Sequence, residues 1–375
     1  MKRIISVILV LTIFISIAVL PNIVNAKNYK GKYKSGESLV YVNKKIIYYS
    51  NKGIFIKKSA KAEAQKITDK KAVGTLLSDG KTVFFTVESG EAGIEHKRYT
   101  IYSVKTNGKQ LTQITSSNIE ADLVTYYKNC IYYLDNKEVG GTYPCCLFKY
   151  NLKTKEKKCI SQNKLCARTF YYNKKIYFSN AVLSIDNVNY ENLYSINLDN
   201  NKIKKVKNNA FAVDYCFSSS KACFSSYKWN NRKDIPVKRY IYTINKSKVK
   251  KSKKLPDNSF VYYVFNNGKK AICSKGDGAP YYIFNLKTGK KTRIKGFKGY
   301  GSFIGDFKSN KVYVKKDYNS NKLSLYKLNG SKLKKVKLSG KSSVKCSGYS
   351  SDCWVCGKYA IVKNSVNSYK IYKIK

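Results

Sequence analysis

The segment NKKIYFSN, residues 173–180, decides the fold of this chain. Its polar turn leads into a short aromatic strand. After a variable loop, a second aromatic strand (LYSINL, residues 193–198) and a short basic strand (IKKV, residues 203–206) follow. The same phrase returns about every 44 residues, which is the length of a four-stranded β-propeller blade. The repeat therefore predicts an array of small antiparallel sheets.

Eight copies of the phrase can be aligned by their second strands. These strands centre on Tyr48-Tyr49, Phe84-Phe85, Tyr132-Tyr133, Tyr177-Phe178, Cys223-Phe224, Ala271-Ile272, Val312-Tyr313 and Ala360-Ile361. The turns before them are rich in Asn, Asp and Gly, which readily adopt the left-handed backbone of hairpin turns. The sequence predicts an all-β fold, a β-propeller of eight four-stranded antiparallel blades. Seven blades is the alternative, if one weak copy is an insertion.

The two ends of the repeat array suggest how the ring closes. The last copy ends with its third strand, at Tyr369 to Ile374, so it lacks a fourth strand. The segment from Asn28 to Lys34 precedes the first copy and could supply that strand. Pairing the two ends in one sheet would remove a free strand edge. We therefore expect an N-terminal strand to complete the last blade.

Residues 1–26 have the pattern of a signal peptide. Lys2 and Arg3 precede an apolar run from Ile4 to Leu20, and small residues up to Ala26 offer a cleavage site. The alternative is an uncut membrane anchor, for which the run is short. We expect residues 27–375 to form one β-propeller domain with no membrane span after cleavage. The protein would be secreted or attached peripherally to the cell surface.

The formal net charge is +51, from 73 Lys and Arg against 22 Asp and Glu. A chain this basic binds polyanions, and the binding weakens as the salt concentration rises. Nucleic acid would be bound only non-specifically, by the same attraction. A second explanation stays open, because Lys, Asn, Tyr and Ile are enriched together. Codon usage in an AT-rich genome produces that enrichment and can account for part of the charge.

The lysines are not spread evenly over the predicted blades. Turns that join strands one to two and three to four lie on one face of a propeller, and the remaining loops lie on the other. The turns of the first kind are rich in Lys. We call this predicted cationic surface the Lys face and define it by ten candidate polyanion-binding residues: Lys44, Lys45, Lys153, Lys155, Lys174, Lys175, Lys269, Lys270, Lys290 and Lys291.

Most acidic residues fall in the loops of the opposite face, together with several aromatic residues. The candidate ligand-binding residues on this face are Asp135, Asp186, Trp229, Asp234 and Asp277. If two or more of these aspartates converged at the central channel, an enzyme or a metal-dependent binder would be favoured. Otherwise this face would bind a protein or a glycan.

The sequence contains no known catalytic constellation. The one histidine, His96, lies in a predicted loop, and no Gly-x-Ser-x-Gly nucleophile motif occurs. A metal centre built from several histidines is excluded by this count. We therefore predict no catalytic residue, no metal site and no cofactor.

Several of the eleven cysteines occupy strand positions that other copies fill with apolar residues, so most are predicted to be buried. The best disulfide candidate is Cys216 with Cys223, across a predicted hairpin. Cys353 and Cys356 have the spacing of a redox or zinc pair, but a strand rather than a helix is predicted after them. A buried or disulfide-bonded pair is the favoured interpretation, with zinc as the minor alternative.

The phrases IYYSN (residues 47–51), IYFSN (176–180) and LYSINLD (193–199) resemble those of secreted bacterial β-propellers of unknown function. That family is related to propellers of the low-density-lipoprotein-receptor type and to TolB-like propellers. The likeness covers nearly all of the chain after residue 26. It implies binding of a ligand or partner at the cell surface and brings no catalytic residue. The Tyr-Trp-Thr-Asp repeat of receptor-type propellers is absent here.

The expected function is non-catalytic. An exported, monomeric β-propeller would dock through its Lys face on anionic cell-wall polymers or other polyanions, because Lys supplies point charges that suit phosphate groups. The opposite face would present a binding site for a protein or a glycan.

Overall fold

The computed structural model describes residues 33–36, 39–43, 45–59, 62–91, 97–116, 122–136, 145–162, 164–184, 187–208, 210–211, 222–230, 235–245, 248–256, 259–275, 280–297, 299–306, 309–316, 320–347, 353–365 and 368–375. All regular secondary structure in these ranges is β-strand. The strands form eight small antiparallel blades in a ring, the predicted eight-bladed β-propeller. The described part of the chain holds no helix that could cross a membrane.

The strands are numbered in chain order, and each blade runs from its first strand, at the channel, to its fourth, at the rim. Blades 1 to 3 contain β1 (Tyr33–Gly36), β2 (Leu39–Val42), β3 (Lys45–Ser50), β4 (Gly53–Lys57) and β5 (Gln65–Thr68); β6 (Ala72–Ser78), β7 (Thr82–Glu91), β8 (Lys97–Lys105) and β9 (Thr112–Ser116); and β10 (Asp122–Tyr127), β11 (Cys130–Asn136), β12 (Cys145–Asn151) and β13 (Lys157–Cys159). In blade 1 the four strands are β2 to β5, and β1 is an additional strand paired with β2. Blades 4 to 6 contain β14 (Leu165–Tyr172), β15 (Lys175–Ser184), β16 (Asn187–Asn197) and β17 (Ile203–Asn208); β18 (Ala210–Phe211), β19 (Ala222–Asn230), β20 (Ile235–Asn245) and β21 (Lys248–Lys251); and β22 (Ser259–Phe265), β23 (Lys270–Lys275), β24 (Tyr281–Asn285) and β25 (Lys291–Arg293).

Blades 7 and 8 are joined by an additional ribbon. Blade 7 contains β26 (Gly301–Gly305), β27 (Val312–Lys316), β29 (Leu325–Asn329) and β30 (Lys332–Lys335), and blade 8 contains β32 (Cys353–Cys356), β33 (Tyr359–Ser365) and β34 (Ser368–Lys373). The ribbon, which the sequence did not predict, pairs β28 (Lys322–Leu323) with β31 (Val344–Lys345).

The eight predicted second-strand centres lie in eight separate blades, from Tyr48-Tyr49 in β3 to Ala360-Ile361 in β33. Every copy of the repeat therefore forms its own sheet. The eight-blade prediction is confirmed, and the seven-blade alternative does not apply.

Aromatic stacking explains the repeated phrase. In five consecutive blades a second-strand ring stacks on the directly opposite third-strand ring. The centroid distances are 5.6 Å for Tyr48–Phe55, 5.9 Å for Phe85–Tyr102, 6.0 Å for Tyr133–Phe148, 5.7 Å for Phe178–Tyr194 and 4.9 Å for Phe224–Tyr242. Such cross-strand pairs stabilise an antiparallel sheet beyond the burial of their area.

The hydrophobic core is divided among the junctions between neighbouring blades. One cluster, for example, joins Leu147 of blade 3 to Phe178 of blade 4, and corresponding clusters follow around the ring. The cycle is completed where Tyr48 of blade 1 packs with Trp354 and Tyr369 of blade 8. The ring is therefore closed by side-chain packing between the first and last blades.

The predicted closure by a shared strand is wrong for the described residues. The N-terminal strand β1 pairs with β2 of blade 1, with Gly36 opposite Leu39, and blade 8 has three described strands. A hairpin this tight costs much less loop entropy than pairing with the far end of the chain. The end of β34 is instead covered by the segment after blade 7, where Lys337 and Lys375 exchange two backbone hydrogen bonds. Residues 28–32 of the predicted closing segment lie outside the described ranges.

Candidate polyanion-binding face

The turns that carry the predicted lysines lie side by side. In five blades, the residue after the third strand, or at its end, donates a backbone hydrogen bond to a carbonyl in the turn between strands one and two. These bonds are Thr106 N to Lys81 O (2.8 Å), Leu152 N to Asn129 O (2.9 Å), Leu198 N to Lys174 O (2.9 Å), Leu286 N to Lys269 O (2.9 Å) and Ile374 N to Lys358 O (2.8 Å). Both kinds of turn therefore share one face of the ring.

Nine of the ten Lys-face residues lie in the described part of these turns or at the adjoining strand ends, and Lys44 lies outside it. Lys45, Lys175 and Lys270 are half-buried, while the exposed members are Lys153, Lys155, Lys174, Lys269, Lys290 and Lys291. Among the described residues, Lys174 is the one member with a carboxylate within ion-pair distance. The other eight carry charge that no described acid neutralises.

Acidic residues on this face are used to build its turns. The Asp79 carboxylate accepts backbone hydrogen bonds from Lys81 and Thr82, at 2.8 and 2.7 Å. The buried Asp306 carboxylate accepts the backbone N–H of Gly357 at 2.7 Å, which connects blade 7 to blade 8. Because these carboxylates are held by backbone donors, they do little to offset the lysines around them.

Asp199 connects blades 3 and 4 on the Lys face. Its carboxylate accepts hydrogen bonds from Tyr127 Oη and Lys128 Nζ, both at 2.6 Å, and lies 3.5 Å from Lys174 Nζ. The bonds from Lys128 and Tyr127 lower the pKa of Asp199 from 3.8 to about 2. Burial, followed by the bond to Asp199, raises the pKa of Tyr127. This contact was not predicted from the sequence, although Asp199 closes the LYSINLD phrase.

We expect Asp199→Asn to destabilise the protein by about 0.5–1 kcal/mol, because partly exposed ion pairs are screened by solvent. A lowered pKa means that the carboxylate stabilises the fold above pH 3.8, and that this contribution is lost as the pH falls to about 2. Thermal unfolding is measured at several pH values from 7 to 2. The difference in unfolding temperature between the two proteins should be constant from pH 7 to about pH 4 and should disappear as the pH falls from 4 to 2.

The matched control is Asp69→Asn, which removes a more exposed ion pair with Lys66. It should leave the unfolding temperature unchanged, because such pairs contribute little. A pH-independent difference for Asp199→Asn would contradict the assigned role of the carboxylate charge.

A second group of lysines, on the rim strands, covers aromatic rings of the third strands. The amines lie 4.6 Å from the ring centroid for Lys157 over Phe148, 3.8 Å for Lys251 over Tyr240 and 5.7 Å for Lys207 over Tyr242. These cation–π contacts stabilise the outer sheet, and Lys on an edge strand also discourages pairing with other chains. The rim lysines therefore have a structural role that most Lys-face residues do not share.

Asp135, a candidate ligand-face residue expected in a loop, lies in a strand. The residue lies in β11 and is 3% exposed, and its carboxylate forms a 2.8 Å ion pair with Lys157 of β13. A buried carboxylate needs such a partner, so Asp135 here supports blade 3. Trp229 lies in β19. Asp186, Asp234 and Asp277 lie outside the described residues.

On the face opposite the Lys turns, a cleft of about 780 Å³ opens between blades 1 and 2. Its lining includes Asp69 and Lys71 from the link between the blades, Glu88 from the end of β7, and the apolar Val87 and Leu111. Lys70, also in the lining, lies 4.9 Å from the Tyr102 ring centroid. The lining of the cleft thus combines both signs of charge with apolar side chains.

The cysteines are mostly buried, as predicted. Cys223 is fully buried in β19, whereas its proposed partner Cys216 lies outside the described residues. Cys353 and Cys356 are both buried in β32, but they pack into different hydrophobic clusters. Because side chains three apart in a strand point to opposite faces, these two cysteines form neither a disulfide with each other nor a shared zinc site. No metal-binding group of three His, Cys, Asp or Glu occurs among the described residues.

Known proteins were compared with the chain. No protein-family model and no curated protein matches it. Its solved structural neighbours are β-propellers.

Among them is an oligogalacturonate lyase in complex with manganese, at 14% identity and a TM-score of 0.45 over 78% of this chain and 95% of that one. The propeller domain of the Trilobed protease from Pyrococcus furiosus aligns at 13% identity with a TM-score of 0.45. The alignment covers 80% of this chain and 94% of that one. TolB from Acinetobacter baumannii aligns at 14% identity with a TM-score of 0.35. The alignment covers 80% of this chain and 76% of that one. The likeness is one of fold.

Proposed function

We propose that this chain is an exported, non-catalytic β-propeller that docks through its Lys face on an anionic polymer. The observation that carries the proposal is the cluster of exposed, unneutralised lysines on one face, including Lys153, Lys155, Lys269 and Lys290. A polymer with a phosphate on each repeat unit is the partner we favour, because ammonium groups act as point charges for phosphate. Cell-wall polymers of this chemistry would hold the protein at the cell surface.

The arrangement suits a long ligand better than a small one. The lysines are carried by short turns of blades that are fixed by packing on both sides, so the charges are held at set positions around the ring. A flexible polyanion can contact several turns together, and each contact releases condensed counterions. Affinity should therefore be high at low salt and fall steeply as salt rises.

The export part of the proposal rests on the signal-peptide pattern of residues 1–26 and agrees with the resemblance to secreted propellers of unknown function. The opposite face would then bind a protein or a glycan, and the cleft between blades 1 and 2 is a candidate site for it. We expect a monomer, because each predicted contact uses a different face of the ring.

The test compares two variants with the same loss of charge. One replaces Lys153, Lys155, Lys269 and Lys290 with Gln, and the control replaces the equally exposed rim residues Lys204, Lys205, Lys250 and Lys334 with Gln. Binding to purified cell wall, with and without its anionic polymers, is measured across a salt series. The Lys-face variant should lose at least about tenfold in affinity, and its slope of log affinity against log salt should fall by about 3.

The rim control should keep a steeper salt slope and most of its affinity. Equal losses in both variants would mean that total charge, and not the Lys face, drives binding. If the protein still bound to cell wall without the anionic polymers, and if this binding did not depend on salt, docking on a polyanion would be rejected. The opposite face would then be the candidate binding surface.

A further inference from the structure

Four cysteines gather where blade 3 meets blade 4. Cys145 and Cys146 begin β12, Cys159 ends the rim strand β13, and Cys166 lies in the first strand of blade 4. Ser161 lies among them, with its Oγ 3.6 Å from the Cys159 sulfur. No other part of the described chain brings so many thiols together, and the proposed polyanion docking makes no use of them.

The strand register brings Cys146 and Cys159 onto one face of blade 3. Cys159 pairs with Phe148, which lies two residues from Cys146. Residues two apart in a strand share a face, and diagonal neighbours on paired strands lie about 7–8 Å apart, with their Cβ atoms somewhat closer. The Cys159 side chain, together with burial, raises the pKa of Cys146. The two cysteines are therefore neighbours on adjoining strands of the blade.

The other two cysteines are placed differently. Cys145 precedes Cys146 and so points to the opposite face of the sheet, where it packs with the cluster that contains Leu147 and Cys166. The Cys166 thiol donates a hydrogen bond to the backbone carbonyl of Lys164, at 3.5 Å. Cys146 and Cys159 are thus the two cysteines of this group that share one face of blade 3 on paired strands.

We propose that Cys146 and Cys159 are a redox-active pair that closes to an internal disulfide by exchange with an external low-molecular-weight disulfide. Cys159 is half-exposed, whereas Cys146 is 2% exposed. The Cys159 thiolate attacks the external disulfide, forming a mixed disulfide and releasing one thiol. Cys146 then loses its proton and attacks the Cys159 sulfur, which releases the second thiol and completes the intramolecular bond. Two protein thiols are oxidised, and one external disulfide is reduced to two thiols.

The disulfide would hold the short rim strand β13 in the blade. The rim strand β13 has three residues, and it supplies the Lys157 that neutralises the buried Asp135. A covalent link from β13 to β12 would hold this strand and its ion pair in place. We expect oxidation to raise the unfolding temperature by several degrees, since a cross-link restricts the unfolded chain.

The experiment treats the reduced full chain with glutathione disulfide under native conditions, blocks the remaining thiols, and maps peptides by mass spectrometry without reduction. The expected result is an intact mass, measured before the thiols are blocked, that is lower by two hydrogen atoms, and a cross-linked peptide joining Cys146 to Cys159. Cys145→Ser should keep the cross-link, whereas Cys146→Ser should abolish it and leave Cys159 as a glutathione adduct. Cys273→Ser, at a fully buried site in blade 6, is the distant control and should also keep it.

Three results would overturn the proposal. The cross-link could join Cys145 to Cys166, which would place the reactive pair on the other face of the sheet. Cys159 of the unmutated protein could stop at the glutathione adduct, which would show that Cys146 does not resolve it. The thiols could also remain unreacted in the folded protein.

Discussion

Replacing Phe224 with Ala should lower the free energy of unfolding by about 3–5 kcal/mol, the cost of truncating a fully buried aromatic side chain. Phe224 is 0% exposed in β19, and its ring is stacked on Tyr242 with a centroid distance of 4.9 Å and an interplanar angle of 5°. It also packs against Phe170 and Leu193 of blade 4. The lost ring would leave a cavity at the junction of two blades.

The cavity is costly because its walls belong to sheets that cannot collapse independently. Blade 4 is held on its other side by the cluster it shares with blade 3, so it cannot move toward the vacated space without losing contacts elsewhere. Urea and thermal unfolding, followed by circular dichroism, measure the loss. Phe260→Ala is the matched control, because the same side chain is 41% exposed in β22. Similar losses in both variants would contradict the assignment of the core to the blade junctions.

The blades could be predicted from the sequence because burial repeats with the strand period. In each copy the second strand is covered on both faces by neighbouring blades, so it must be apolar whichever residues supply it. Cys223 and Ala271 fill such positions as well as Tyr48 does. The pattern of burial, and not the aromatic residues alone, therefore carries the information about the number of blades.

The closure of the ring could not be predicted in the same way. A strand with period-two alternation can pair with any free edge, so the sequence pattern does not distinguish blade 1 from blade 8 as the partner of β1. The tight link between Gly36 and Leu39 favours the local hairpin. The contact of Tyr48 with Tyr369, which closes the ring, joins residues that are distant in the sequence. No local sequence pattern predicts such a contact.

The Lys face was predictable in outline, because turn positions follow from the blade repeat. The roles of individual charges depend on tertiary partners and were not. Asp135 was expected in a loop, yet it is buried in a strand, where Lys157 of the rim strand neutralises its carboxylate. Asp199 is held by residues from two blades. Only the folded structure separates the acids that build the turns from those that can meet a ligand.

Replacing Gly53 with Ala should destabilise the protein by about 3 kcal/mol or more, from backbone strain combined with a steric clash. Gly53 begins β4 with a φ of +114°, a conformation that side-chain-bearing residues rarely adopt. A Cβ there would lie 2.1 Å from the carbonyl oxygen of Thr68. That atom belongs to the rim strand β5, so it cannot turn aside as a flexible side chain would. Either β5 separates from β4 or the turn after Ser50 changes its path, and both cost sheet hydrogen bonds.

Gly330→Ala is the control for a positive φ without a clash, because Gly330 has a φ of +58° and no atom lies within 4 Å of the added Cβ. Backbone strain alone should cost about 1 kcal/mol there. The difference between the two variants, measured by urea unfolding, reports the clash with Thr68 together with the extra strain of a φ of +114°, which lies outside the left-handed region open to other residues. If Gly53→Ala were no more harmful than Gly330→Ala, the close approach of β4 and β5 would be wrong. A larger loss for Gly53→Ala means that the rim strand of blade 1 is fixed by a contact that only glycine permits.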